Sequence, residues 1–157
     1  MRIGERLKEL GLELPEVSLP QGNYTNCIRS GNLLFVSGKG PTGYSAFARE
    51  GMSPQGKIGA DYSTEQGYQF AKETGLEILA AVKAELGTLG RVRRVVKLQG
   101  FINSTSEFSQ HPQVMDGCSD LMIAVFDDIG IHARSVFGAV SVRDNLPLVI
   151  DSIFEVE

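Results

Sequence analysis

The residues able to do chemistry in this chain are few and scattered. One arginine, Arg134, lies in the run Gly130-Ile-His-Ala-Arg134-Ser-Val-Phe-Gly-Ala-Val-Ser-Val142. The second half of that run alternates and is rich in β-branched residues, which predicts a strand over 133–142. A guanidinium carries five donors in a fixed fork that matches a carboxylate or phosphate, so an arginine at a strand mouth has the chemistry of an anion clamp. A surface arginine paired with a neighbouring acid fits the same spacing, and the spacing does not choose between them. The two histidines, His111 and His132, are too few for a metal site unless carboxylates complete it. Cys27 and Cys118 lie far apart without metal-ligand spacing and read as free buried thiols. No CxxC, HExxH or P-loop pattern occurs, and Gly38-Lys-Gly40 lacks the spacing of a phosphate loop.

Composition bounds the rest. A chain of 157 residues is long enough for one domain with a real core, 1–157, and too short to expect two. An apolar fraction of 42% is ordinary for a globular protein, and no apolar run reaches the length of a membrane span. The N-terminus is charged and lacks the apolar core of a signal peptide, so a cytoplasmic location is expected. A net charge of −4 and a pI near 5.2 argue against broad nucleic-acid binding. The one basic cluster, Arg91, Arg93, Arg94 and Lys97, fits a solvated face.

These residues must be positioned by elements that the patterning lays out in order. Residues 3–12 form a short amphipathic helix, and Pro15 and Pro20 mark the connector that runs to about residue 20. Strands follow over 26–30 and 33–37, with the turn at Ser30-Gly-Asn32. Residues 38–61 read as a long glycine-rich loop, where function or mobility is expected. Ser63 and Gln66 form a capping box for a helix over 64–86 that Gly87 closes. A strand over 94–103 should turn Val96, Leu98 and Ile102 to one face. A helix over 111–129 carries Pro112 in its first turn, and Asp144-Asn145 turns the chain into a last strand over 148–156. Two similar strand–helix units predict an α+β fold with two long helices on one face of a mixed sheet. The other face must be covered by partners or left wet.

Several of these residues together resemble a known family. Ala133-Arg134-Ser135 followed by a final strand, Gly31-Asn-Leu-Leu-Phe-Val-Ser37-Gly38, and Gly22-Asn-Tyr24 are similar to the signatures of the RidA/YjgF family of imine deaminases, also labelled endoribonuclease L-PSP-like. The extra N-terminal helix and His111-Pro112 resemble a longer branch of it. The resemblance implies a chorismate-mutase-like fold, a homotrimer and ligand clefts between adjacent subunits. It implies hydrolysis of a 2-imino or 2-enamino acid to a keto acid and ammonia, with neither metal nor cofactor. By the same resemblance Arg134 binds the substrate carboxylate, Tyr24 and Ser37 place hydroxyls at the reacting carbon, and Gly38, Val136 and Asp116 line the substrate.

Three positions depart from the family pattern. A family cysteine is Val136 here, whose backbone N–H remains a donor, and a family asparagine is Asp116, which would repel an anion facing it. The family glutamate falls on Val149, which cannot activate water. Asp151 lies two residues on, on the same side of its strand, and is either a substitute base or an ordinary polar strand residue. The enzyme reading therefore competes with a non-catalytic module that binds a small carboxylate in trimer clefts. A ribonuclease or translation inhibitor, the third reading, is disfavoured by the acidic balance and the lack of a histidine pair or basic groove.

Overall fold

A computed structural model describes residues 2–41 and 54–157. Within them the chain runs α1 (Ile3–Glu9), β1 (Cys27–Ser30), β2 (Leu33–Lys39), α2 (Thr64–Leu86), β3 (Val92–Asn103), α3 (His111–Phe126), β4 (Ala133–Ala139) and β5 (Leu148–Val156). The five strands form one mixed sheet in the order β1-β2-β5-β3-β4. β3 and β4 are parallel, and the other pairs are antiparallel. This is the expected α+β arrangement. Of the expected long loop over 38–61, residues 42–53 lie outside the described residues.

Local chemistry explains why these segments form. In α2 the Ser63 side chain accepts from the Gln66 N–H, and the Gln66 side chain accepts in return from the Ser63 N–H. Gly87, at φ 83°, takes the left-handed position that ends the helix. The two-residue hairpin turn between β1 and β2 has Gly31 at φ 60°, where a side chain would strain the backbone. α1 is shorter than expected, ending at Glu9, and docks through buried Leu7 and an Arg6 Nε bond of 2.8 Å to the Ala124 carbonyl.

The two long helices cover one sheet face. Leu34, Val36, Leu98, Ile102, Leu148, Ile150 and Phe154 point into them, all at 3% exposure or less. Burying side chains of this size is worth roughly 1.5–3 kcal/mol each before the cost of ordering the chain. The helices also sit close to each other and to the sheet. A side chain at Gly117 would collide with the Tyr68 carbonyl, and one at Gly100 would lie 2.6 Å from the Met115 sulfur.

Further expectations need correction, among them the ends of β2 and β3, which run to Lys39 instead of residue 37 and from Val92 instead of residue 94. Val95, not Val96, joins Leu98 and Ile102 in the core, because the β3–β5 register shifts between Val95 and Lys97. β4 stops at Ala139 instead of Val142, since its partner β3 ends at Asn103, which pairs with Ala139. α3 ends at Phe126, where Asp127 takes φ 53° and a 3-10 turn folds the chain back on the helix end.

The other sheet face mixes apolar residues with polar ones such as Gln99 and Asp151, and no helix among the described residues covers it. Ile28, Leu33, Phe35, Phe101 and Phe137 lie on it, exposed, and Phe101 stacks on Phe137 across the β3–β4 pair at 6.0 Å.

Candidate functional site

Arg134 is the second residue of the edge strand β4 and pairs with Leu98 of β3. It therefore shares the face of Leu98 and leans towards α3. Its Nη1 donates to Asp116 Oδ1 at 2.7 Å and to Ser119 Oγ at 3.0 Å, and its Nη2 donates to the Pro112 carbonyl at 3.3 Å. Asp116 and Ser119 lie three apart on α3, on one helix face. The arginine thus pairs with a neighbouring acid and also stands at a half-exposed rim, with Asp116 engaging it through one oxygen at one end of the fork. The bonds of the described residues do not use its Nε.

The same hydroxyl continues the chain of contacts. Ser119 Oγ is 2.9 Å from His132 Nε2, and His132 Nδ1 is 2.6 Å from the Gly130 carbonyl. A carbonyl only accepts, so Nδ1 carries the hydrogen. In the neutral ring Nε2 then accepts from Ser119, which turns its lone pairs to Arg134. Sequence reasoning missed Ser119 and His132 as partners of the arginine. Two signals pointed to them: Ser119 is three residues from Asp116, and His132 is two before Arg134.

Val136 follows two residues on, beside Gly100, its side chain half-buried against the core. Because β4 is a sheet edge, one side of its backbone pairs with no other strand among the described residues. Cys118 lies close by but is buried. Burial pushes its thiol up to about 12, against the opposing pull of Arg134, so it stays protonated and is no nucleophile. Cys27 is likewise buried and free, and burial, aided by Glu85, raises it to about 11.

Ser37, Gly38, Val149 and Asp151 come together elsewhere. Val36 pairs with Ser152 and Lys39 with Ile150, so Ser37 and Gly38 both oppose the single residue Asp151. This β-bulge is a feature that re-aims side chains. A side chain at Gly38 would lie 2.8 Å from Val149 Cγ1, which places Val149 directly against the bulge. Ser37 Oγ donates to the Thr25 carbonyl at 2.7 Å, next to half-exposed Tyr24, whose hydroxyl is 3.4 Å from the Gln21 N–H. Asp151 is half-buried. Burial raises its carboxyl above the ordinary value, with Lys97 pulling the other way.

The two groups do not meet within one chain. β5 and β3 stand between β2 and β4, so Ser37 and Arg134 are three strand spacings apart, about 14 Å. Asp151 also faces away from the helices, whereas Arg134 faces them. Among the described residues no three His, Cys, Asp or Glu side chains converge as a metal site.

Comparison with known proteins adds to this geometry. A family described as "YjgF/chorismate mutase-like, putative endoribonuclease" matches residues 4–154. Protein TCP17 of Trypanosoma cruzi is 34% identical over 155 residues, 98% of this chain and 94% of that protein. The crystal structure of Atu1372 from Agrobacterium tumefaciens, a protein of unknown function, superposes with a TM-score of 0.87 at 38% identity, over 99% of this chain and 92% of that one. The crystal structure of a Shewanella oneidensis protein described as a "putative endoribonuclease" superposes with a TM-score of 0.91 at 30% identity, over 99% of this chain and 100% of the other.

Proposed function

This chain belongs to the YjgF/chorismate mutase-like family, and from that premise we propose that it hydrolyses a reactive C=N substrate, a 2-imino acid or related imine, to a keto product and ammonia. Water adds to the imine carbon, the C–N bond breaks, and the nitrogen leaves as ammonia while the carbonyl forms. The observation that carries the reading is Arg134, held at an edge-strand rim with its Nε outside the bonds made among the described residues. A carboxylate can approach that free edge of the fork and the unpaired side of the β4 backbone at Val136.

Arg134 would bind the carboxylate, with Asp116 and Ser119 holding the guanidinium in place. Tyr24, Ser37 and Gly38 would surround the reacting carbon from a second copy of the chain, because about 14 Å separates them from Arg134 within one copy. A homotrimer with sites between subunits meets that need. The group that removes a proton from water would be Asp151, across from the Ser37–Gly38 bulge. A carboxylate kept partly from water is a better base when ionised.

A second reading rests on Val149. Its methyl group lies beside Gly38, at the position for which the resemblance implies a glutamate, and that favours a trimeric module that binds a small carboxylate without turning it over.

Keto acid release from imines made in situ by an amino-acid oxidase separates the two. Turnover in the native protein, lost in Asp151→Asn, supports the hydrolase with Asp151 as base. Turnover indifferent to Asp151→Asn and Val149→Glu removes the proposed base. Native protein that is inert but binds pyruvate through Arg134 leaves the binding module.

A further inference from the structure

Away from Arg134, a cavity of about 460 Å³ opens where the parallel strands β3 and β4 end and α3 begins. Lys57, Ser104, Phe108, His111, Gly138 and Val140 shape it, and among the described residues its lining contains no carboxylate. We propose that this cavity is a second binding site, one that takes the phosphate group of a small phosphorylated metabolite.

Four observations carry the proposal. Lys57 Nζ reaches the cavity from the segment before α2 and donates to Asn103 Oδ1 at 2.7 Å and the Val140 carbonyl at 2.5 Å. Both acceptors are uncharged and an ammonium has three hydrogens, so among the described residues one donor and the charge are left without a partner. The ion pairs among the described residues do not include Lys57. Ser104 is 8% exposed, and its hydroxyl meets His111 Nε2 at 3.3 Å, a loose contact that an oxyanion between them could replace. His111 stands edge-on to Phe108, with ring centres 5.1 Å apart. A side chain at residue 138 would come within 2.7 Å of His111 Nε2 and 2.9 Å of Ser104 Oγ, so Gly138 keeps the serine–histidine pair in place.

The backbone adds to the same potential. α3 starts at His111, and Gln110 before it provides no side-chain cap. Its first turn holds no acid. His111, the first residue of this 16-residue helix, lines the cavity, so the positive end of the helix lies beside it. Lysine charge, hydroxyl and imidazole make up a phosphate-type donor set, in which lysine acts as a point charge. The volume exceeds one phosphate and fits a small metabolite, with Phe108 and Val140 as its apolar walls. Arg134 lies four residues back along β4, roughly 13 Å away, so the two sites are separate.

The test is titration of the full-length protein with inorganic phosphate and with glycerol 3-phosphate at fixed ionic strength, followed by calorimetry and amide chemical shifts. Shifts confined to residues 104–113 and 138–140, with affinity lowered tenfold or more in Lys57→Met and several-fold in Ser104→Ala, are expected. Arg134→Ala should bind phosphate as the native protein does. Since Lys57 also ties Asn103 to Val140, His111→Gln serves as a second variant that leaves those bonds intact, and it too should weaken binding. Absence of shifts in both segments at millimolar phosphate overturns the proposal. So does binding that survives Lys57→Met and His111→Gln but fails in Arg134→Ala, which would put the anion on the arginine.

Discussion

Arg134 holds the most chemistry per residue, and its surroundings decide how well it can use it. Replacing it with Ala should weaken binding of pyruvate or another small keto acid tenfold or more, since a charge-assisted pair is typically worth about 1.5–3 kcal/mol. Titration calorimetry measures this. Asp116 offsets part of the arginine's charge through a single 2.7 Å contact. Asp116→Asn keeps the shape and removes the negative charge, so keto acid affinity should rise about two- to fivefold, the scale of a partly exposed pair. Asp151 gives a pH prediction. Burial raises its carboxyl above 3.8, so the native state holds that proton more tightly than the unfolded chain. Its favourable contribution is present below that value and is lost as pH rises through the native pKa. Asp151→Asn removes the loss, so the variant should melt above the native protein at pH 7 and close to it at pH 3.

At the scale of elements, the placement of Arg134 depends on how closely α3 approaches α2 and the sheet. Gly117 lies one residue past Asp116, where α3 crosses over the Tyr68 carbonyl with no room for a side chain. Gly117→Ala should push the helices apart and cost about 1–3 kcal/mol, read as a lower urea midpoint with an unchanged slope. Because α3 also holds Asp116 and Ser119, the variant should lose keto acid affinity as well, a coupling that a surface glycine would not produce. The bulge at Ser37 and Gly38 is the corresponding device on the other side of the sheet, bringing two residues against Asp151.

For the whole molecule, the uncovered sheet face bears on assembly. Ile28, Leu33, Phe35, Phe101 and Phe137 are too large and too many on one face for comfortable exposure, and such patches mark association surfaces. We expect a homotrimer, three times 17.0 kDa by light scattering. Phe35→Glu should shift it towards monomer and abolish turnover together, because the proposed site needs residues from two copies. A native protein that is monomeric at micromolar concentration would remove both the assembly and the shared site.

Much of the fold was legible in the sequence because it rests on local periodicity and local punctuation. The capping box at Ser63 and Gln66, the Gly87 stop and the alternation of 148–156 act within a few residues, so they can be read without knowing what lies across the sheet. Arg134 was legible as a chemically able residue, but its spacing left an anion clamp and a pair with a neighbouring acid both open, and the Asp116 contact came only from the fold. What the tertiary structure decided is which groups meet. The β2–β5 bulge that sets Ser37 and Gly38 against Asp151, and the α3–β4 contact that joins Asp116, Ser119 and His132 to Arg134, link residues 13 to 114 positions apart by pairing register and helix approach. Neither register shifts nor crossing distances leave a local pattern, since both are set by the packing of the whole core.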